Sequence, residues 1–143
     1  MCRFCGMSPP ARRGGSVNEA SVRRDLMQMI KRVLSPAAVV IRHEDMFTRG
    51  IPDLSITVNG RTTWWEIKYA DPSYRKDAVQ QHICRKLEEQ GYCRYVIYVC
   101  GPPRCIRVVR PTQIDQWRRV GDVIPEFNHR AMVRYISEVH GCV

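Results

Sequence analysis

Two carboxylates and an ammonium group, Asp53, Glu66 and Lys68, are spaced so that one β-hairpin could bring them together. The two runs that hold them, Ile51 to Val58 and Arg61 to Tyr69, are rich in β-branched and aromatic residues and flank Asn59-Gly60. That dipeptide is the strongest short hairpin signal, because both central residues of a type I′ turn need positive φ. With Asn59 and Gly60 at the turn, Val58 faces Arg61, and counting outward sets Asp53 opposite Glu66. Alternation then sorts the side chains. Asp53, Ser55 and Thr57 share a face with Thr62, Trp64, Glu66 and Lys68; Leu54, Ile56, Val58, Thr63, Trp65 and Ile67 form the other, the core side. Like charges directly across a strand pair repel. A divalent cation held between the carboxylates would compensate, and hard oxygen donors suit Mg²⁺, with Mn²⁺ as a substitute, far better than zinc. Lys68 could then hold or polarise a water beside the ion. The competing reading is a Glu66–Lys68 surface charge cluster, with Asp53 as a turn residue after Pro52.

The elements that must position this hairpin are readable around it. Residues 1–15 carry Pro, Gly and Arg without a hydrophobic period and read as a basic arm; 16–143 read as one domain. Ser16 with Glu19 has capping-box spacing, and Val22, Leu26, Met29, Ile30 and Val33 recur at helical intervals until Pro36. Ala37 to Ile41 reads as a buried strand. After the hairpin, Arg75 to Gln90 reads as a helix with Val79, Ile83 and Leu87 on one face and Gly91 as its C-terminal cap. Strands follow at Tyr95 to Cys100 and Ile106 to Val109, then helices at Thr112 to Val120 and Asn128 to Val139. A strand, a helix and a strand imply a parallel crossover. The fold class is α/β, a mixed α+β sheet with helices on its flanks.

The chain has 23 Lys and Arg against 14 Asp and Glu, a net charge of +9, and Arg supplies most of the positive charge. Guanidinium forks match phosphate oxygens, so the balance favours a polyanionic partner, most simply nucleic acid. Seven Cys is an odd count, and no secretory-signal pattern opens the sequence, so reduced thiols and a cytoplasmic setting are expected. No apolar run reaches membrane-spanning length.

The same residues resemble a known motif. Gly50-Ile51-Pro52-Asp53, followed after a short hairpin by Glu66-Ile67-Lys68, is similar to the signature of the PD-(D/E)xK nuclease superfamily. Gln80, Leu87, Gly91 and a β-rich run ending Val108-Val109-Arg110 resemble its VRR-NUC branch, and the likeness runs from about Glu19 to Arg110. The resemblance implies a restriction-endonuclease-like αβββαβ core and metal-dependent hydrolysis of DNA phosphodiester bonds. It implies Asp53, Glu66 and the backbone carbonyl of Ile67 as metal ligands, Lys68 as the residue orienting the attacking water, and Gln80 as a helper on phosphate or water, with Gln81 competing by one residue. Glu19 matches a further acidic ligand, against its reading as a helix cap. Branched, junction or flap DNA is the implied substrate, as for Holliday-junction-resolving enzymes. The alternatives are a sequence-specific restriction-type endonuclease and a non-catalytic DNA-binding protein. A homodimer would suit a junction substrate, and no organic cofactor or membrane partner is implied.

Other polar residues fill in this picture. Arg12, Arg13, Arg49, Arg75 and Lys76 are the leading candidates for contacts to DNA, with Arg23, Arg24, Arg85, Arg118 and Arg119 behind them. His43, Glu44 and Asp45 precede the hairpin as a further source of a ligand or base, or as a solvated loop. Trp64, on the Glu66 face, could stack on a base or simply pack. Cys2 and Cys5 have zinc-knuckle spacing, with His140 and Cys142 as a distant second half, but one C-x-x-C is the weaker signal and a reduced tail the preferred reading.

Overall fold

The computed structural model describes residues 18–34, 36–44, 49–70 and 77–141. Helix α1 (Glu19–Leu34) leads into strands β1 (Ala38–Arg42), β2 (Leu54–Val58) and β3 (Arg61–Ala70). Helix α2 (Ala78–Gln90), β4 (Tyr92–Val99) and β5 (Cys105–Val109) come next. A 3₁₀ helix (Pro111–Gln116), β6 (Asp122–Ile124) and α3 (His129–Val139) complete the described elements. The strands form one sheet in sequence order, β1 to β6. Only β3 and β4 are parallel, joined across α2; the other neighbours run antiparallel. The first six elements thus give the expected αβββαβ order within a mixed sheet.

The turn residues set the hairpin as anticipated. Asn59 and Gly60 have φ of 53° and 80°, and Val58 pairs with Arg61. On one face of the sheet, Leu54, Ile56, Val58, Trp65 and Ile67 pack with Val22, Leu26 and Ile30 of α1 and Met132 and Ile136 of α3. On the other face, Cys84 of α2 and Ile114 and Trp117 cover Ala70, Cys93, Tyr95, Ile97 and Val109. Glu66 and Lys68 lie on this second face, with Trp64 and Ala70.

Several local expectations shift. Helix α1 is capped by Asn18: its Oδ1 accepts from the Ser21 amide at 2.9 Å, and Ser21 Oγ accepts from the Asn18 amide at 3.1 Å. Glu19 is therefore the first residue of the helix and no partner in its cap, and Ser16 lies outside the described residues. Asn18→Ala should lower stability by about 1 kcal/mol, measured as a fall in the urea midpoint at unchanged slope. Leu34, not Val33, is the last inward residue of α1, and Val33 is 56% exposed. Strand β1 is a sheet edge, so Val39 and Ile41 face outward, 56% and 48% exposed, where a buried strand was expected.

On α2 the inward residues are Gln81 and Cys84. Gln81 satisfies its buried amide on the Pro111 carbonyl at 3.0 Å, which rotates Val79 outward. The stretch read as a helix from Thr112 to Val120 stops as a 3₁₀ helix at Gln116. Gly121 then turns at φ 91°, where a Cβ would lie 2.5 Å from the Val108 carbonyl oxygen, and admits the short strand β6. No described helix is long and apolar enough to cross a membrane.

Candidate active site

Strand β3 outruns β2, and the site is built on the backbone amides left beyond the last rung. In the β2–β3 ladder Leu54 pairs with Trp65, so Asp53 lies at the place facing Glu66, just outside the strand. There the side chains take over the pairing. Asp53 Oδ2 accepts from the Ile67 amide at 2.9 Å, and Glu66 Oε1 accepts from the Asp53 amide at 3.1 Å. One rung further, Glu19 Oε2 accepts from the Tyr69 amide at 3.1 Å. Unpaired strand amides are costly to bury, so each carboxylate is fixed by a group that needs an acceptor.

The charges are tightly juxtaposed. The Glu66 side chain is 4% exposed and its Oε2 lies 3.2 Å from Lys68 Nζ. The Asp53 side chain is 18% exposed, with Oδ1 3.5 Å from Arg23 Nε. Arg23 also reaches Glu19 Oε1 at 3.5 Å, linking the first turn of α1 to Asp53. Burial pushes the Glu66 carboxyl up to about 8, reinforced by the Asp53 charge and opposed by Lys68 and by a hydrogen bond from Gln80. Burial also raises Asp53, opposed first by the Ile67 amide and then by Arg23 and Lys68. Both shifts come first from burial, which penalises the charged forms even though Glu66 faces Lys68 and Asp53 faces Arg23.

The two glutamines separate clearly. Gln80 hydrogen-bonds Glu66, whereas Gln81 is tied to Pro111. The other end of the Gln80 amide, Oε1, is buried and has no hydrogen-bond partner among the described residues. Asp77 holds this turn by accepting from the Val79 and Gln80 amides at 2.9 and 3.2 Å, which lowers its own carboxyl below the usual range. Gly50 brings the Asp53 loop against the same turn. A Cβ there would sit 3.1 Å from the Val79 carbonyl oxygen and 3.2 Å from Gln80 Cα, at a φ of 93°. Gly50→Ala should cost at least about 1–2 kcal/mol from the left-handed backbone alone and push Gln80 away from Glu66. Denaturant unfolding tests the first effect, and the chemical shift of the Gln80 side-chain amide the second.

The remaining candidates fall as follows. His43 Nε2 is 2.8 Å from Ser55 Oγ, its ring packs on Trp64 at 5.1 Å, and its amide donates to the Asp53 carbonyl at 2.8 Å. Trp64 is thus packed against His43 and the second core face. Glu44 pairs with Arg42 at 3.2 Å. Arg49, largely exposed, lies 3.8 Å from Asp77 and ties the loop to α2. Arg12, Arg13, Arg75, Lys76, Asp45, Cys2, Cys5 and Cys142 lie outside the described residues. His140 Nε2 meets Thr63 Oγ1 at 2.7 Å, and Cys84, Cys93, Cys100 and Cys105 are buried and form no disulfide. Arg23 is the site residue that sequence reasoning had placed only among the general basic candidates. Its spacing of four from Glu19 was the available signal.

Two carboxylates, an ammonium and an amide oxygen awaiting a donor therefore converge. No group of three His, Cys, Asp or Glu side chains poised for a metal occurs among the described residues, and Glu19 is engaged by the Tyr69 amide and Arg23. Asp53 and Glu66 nevertheless form a pair of hard oxygen donors of the kind that could hold a small divalent cation.

No protein-family model and no curated protein matches the sequence. Among solved structures the chain is similar to a VRR_NUC domain, at 16% identity and a TM-score of 0.44, over 68% of this chain and 90% of that one.

Proposed function

We propose that this protein is a metal-dependent endonuclease that hydrolyses DNA phosphodiester bonds, with selectivity for branched, junction or flap DNA. The observation that carries the reading is buried Glu66 beside half-buried Asp53, with Lys68 at 3.2 Å from Glu66, an arrangement that is costly unless it serves a cation. Asp53 and Glu66 would hold Mg²⁺, or Mn²⁺ in its place, with the Ile67 carbonyl as a third oxygen. When bound, such an ion supplies Lewis-acid stabilisation of negative charge on the phosphate and lowers the pKa of water.

The chain's own residues supply the rest. Lys68 directs an N–H toward the attacking water and the phosphate oxygens. Gln80, held through its amide to Glu66, offers Oε1 as an acceptor to that water, which would satisfy its unpartnered atom. Arg23 orients Asp53 and can yield it as the cation enters. The net charge of +9 draws the polyanion without reading its sequence.

The test is a substrate panel: linear duplex, flap and four-way junction DNA with Mg²⁺, Mn²⁺ or EDTA. Metal-dependent cutting of the junction or flap in preference to duplex is expected. Fixed fragments from plain duplex would favour the restriction-type alternative, and DNA binding without cutting in either metal would favour the non-catalytic one.

A further inference from the structure

A second concavity lies on the same sheet face as the carboxylates. In successive rows across the sheet, Lys68 lies beside Ile97 and Arg107, and Ala70 lies beside Val99 and Cys105. The second row floors a pocket of about 320 Å³, walled by Gly101, Pro102 and Pro103 and by Trp117 and Arg118. Ala70 is two residues beyond Lys68 on one strand, so the floor begins about 6.6 Å from the site. Trp117 is almost wholly buried, and the Arg118 guanidinium stacks on its ring at 4.5 Å from the centroid. As a residue Arg118 is exposed. The second cation, Arg107, is held at the pocket by its hydrogen bond to the Val120 carbonyl at 3.1 Å.

An apolar floor, a planar cation backed by an indole, and a volume at the small end of ligand pockets fit one flat heteroaromatic ring. The two arginines fit the phosphates that would accompany it. We propose that this pocket receives a single unstacked nucleobase from the nucleotide adjoining the phosphate held at Asp53, Glu66 and Lys68, stacked against Arg118. The inference rests on DNA being the substrate of those carboxylates. It gives structure selectivity a physical source, because a base is freed more readily at a junction, flap or single-stranded end than within duplex.

The experiment is a photocross-linking scan on the full chain. 5-Iododeoxyuridine is placed in turn at each position of a flap and a junction oligonucleotide, with Ca²⁺ holding the DNA uncut, and adducts are mapped by mass spectrometry. Cleavage of the same oligonucleotides is measured in Mg²⁺ and Mn²⁺. A cross-link to Trp117, Arg118 or Cys105 from one position beside the cut is expected.

Gly101→Phe, at a position where a Cβ meets no atom within 4 Å, should abolish that adduct, as should Arg118→Ala. Each should weaken DNA binding roughly tenfold, as expected for loss of one stacked base. Cleavage with adducts only elsewhere overturns the pocket and leaves the nuclease reading standing. A pocket adduct without cleavage supports the pocket and defeats the nuclease. Absence of both binding and cleavage defeats both readings, whereas an adduct that persists in Gly101→Phe defeats the pocket alone.

Discussion

Asp53→Asn should lower metal-stimulated DNA cleavage by roughly 10³-fold or more while leaving the fold intact. The two halves of that expectation come from different atoms. Asparagine keeps an oxygen that can accept from the Ile67 amide, the bond that Asp53 Oδ2 makes at 2.9 Å, so the end of the hairpin stays closed. What it loses is the negative charge that faces Arg23 and would bind a cation. Circular dichroism and the unfolding midpoint should therefore change little while single-turnover cleavage collapses. A variant that cuts within tenfold of the parent would show that Asp53 only fastens the strand end.

Glu66→Gln should reverse the usual effect of removing an active-site charge: the metal-free protein should become more stable at high pH. The sign follows from the raised carboxyl. Folded Glu66 titrates at about 8 against a reference of 4.5, so between these values the folded state holds the extra proton. That contribution is fully present below about pH 4.5 and is lost as pH rises through 8. Glutamine is neutral throughout and does not lose it. Thermal unfolding in EDTA should show the parent losing stability from pH 5 to pH 9 more steeply than the variant.

Divalent cation should oppose this trend in the parent, adding about 2.7 kcal/mol at a concentration 100 times the dissociation constant, and should do little for Glu66→Gln. If the variant is instead less stable than the parent at pH 9, the Lys68–Glu66 ion pair outweighs the burial of charge.

Much of this arrangement was legible before any coordinates, and the reason lies in the turn. Asn59-Gly60 admits one favoured hairpin geometry, so facing residues six places out on either arm can be counted. That is a local rule applied twice. The cap of α1 was legible in kind and misplaced by two residues, because Ser16, Asn18 and Ser21 all offer capping oxygens and only the path of the chain chooses between them. The inward face of α2 was misread because a buried glutamine can replace an aliphatic residue once a carbonyl from a distant 3₁₀ helix is within reach. That Glu19 stands at the site was an expectation of the sequence, but its bond to the Tyr69 amide was not legible. It depends on β3 extending beyond β2, which is a property of two strand ends together and appears in neither segment alone. The same holds for the pocket beside Arg118 and Trp117, whose other walls come from β3, β4 and β5 and the turn between the last two.

The Ile67 amide, whose acceptor is the Asp53 carboxylate, makes the protein its own clock for the motion of that side chain. Its hydrogen can exchange with solvent only when the carboxylate swings away, so its lifetime reads the undocking of one side chain where most sheet amides read the opening of the sheet. The neighbouring Tyr69 amide keeps the same time for Glu19. Compared with and without cation, the pair would reveal which carboxylate leaves the backbone to greet the ion.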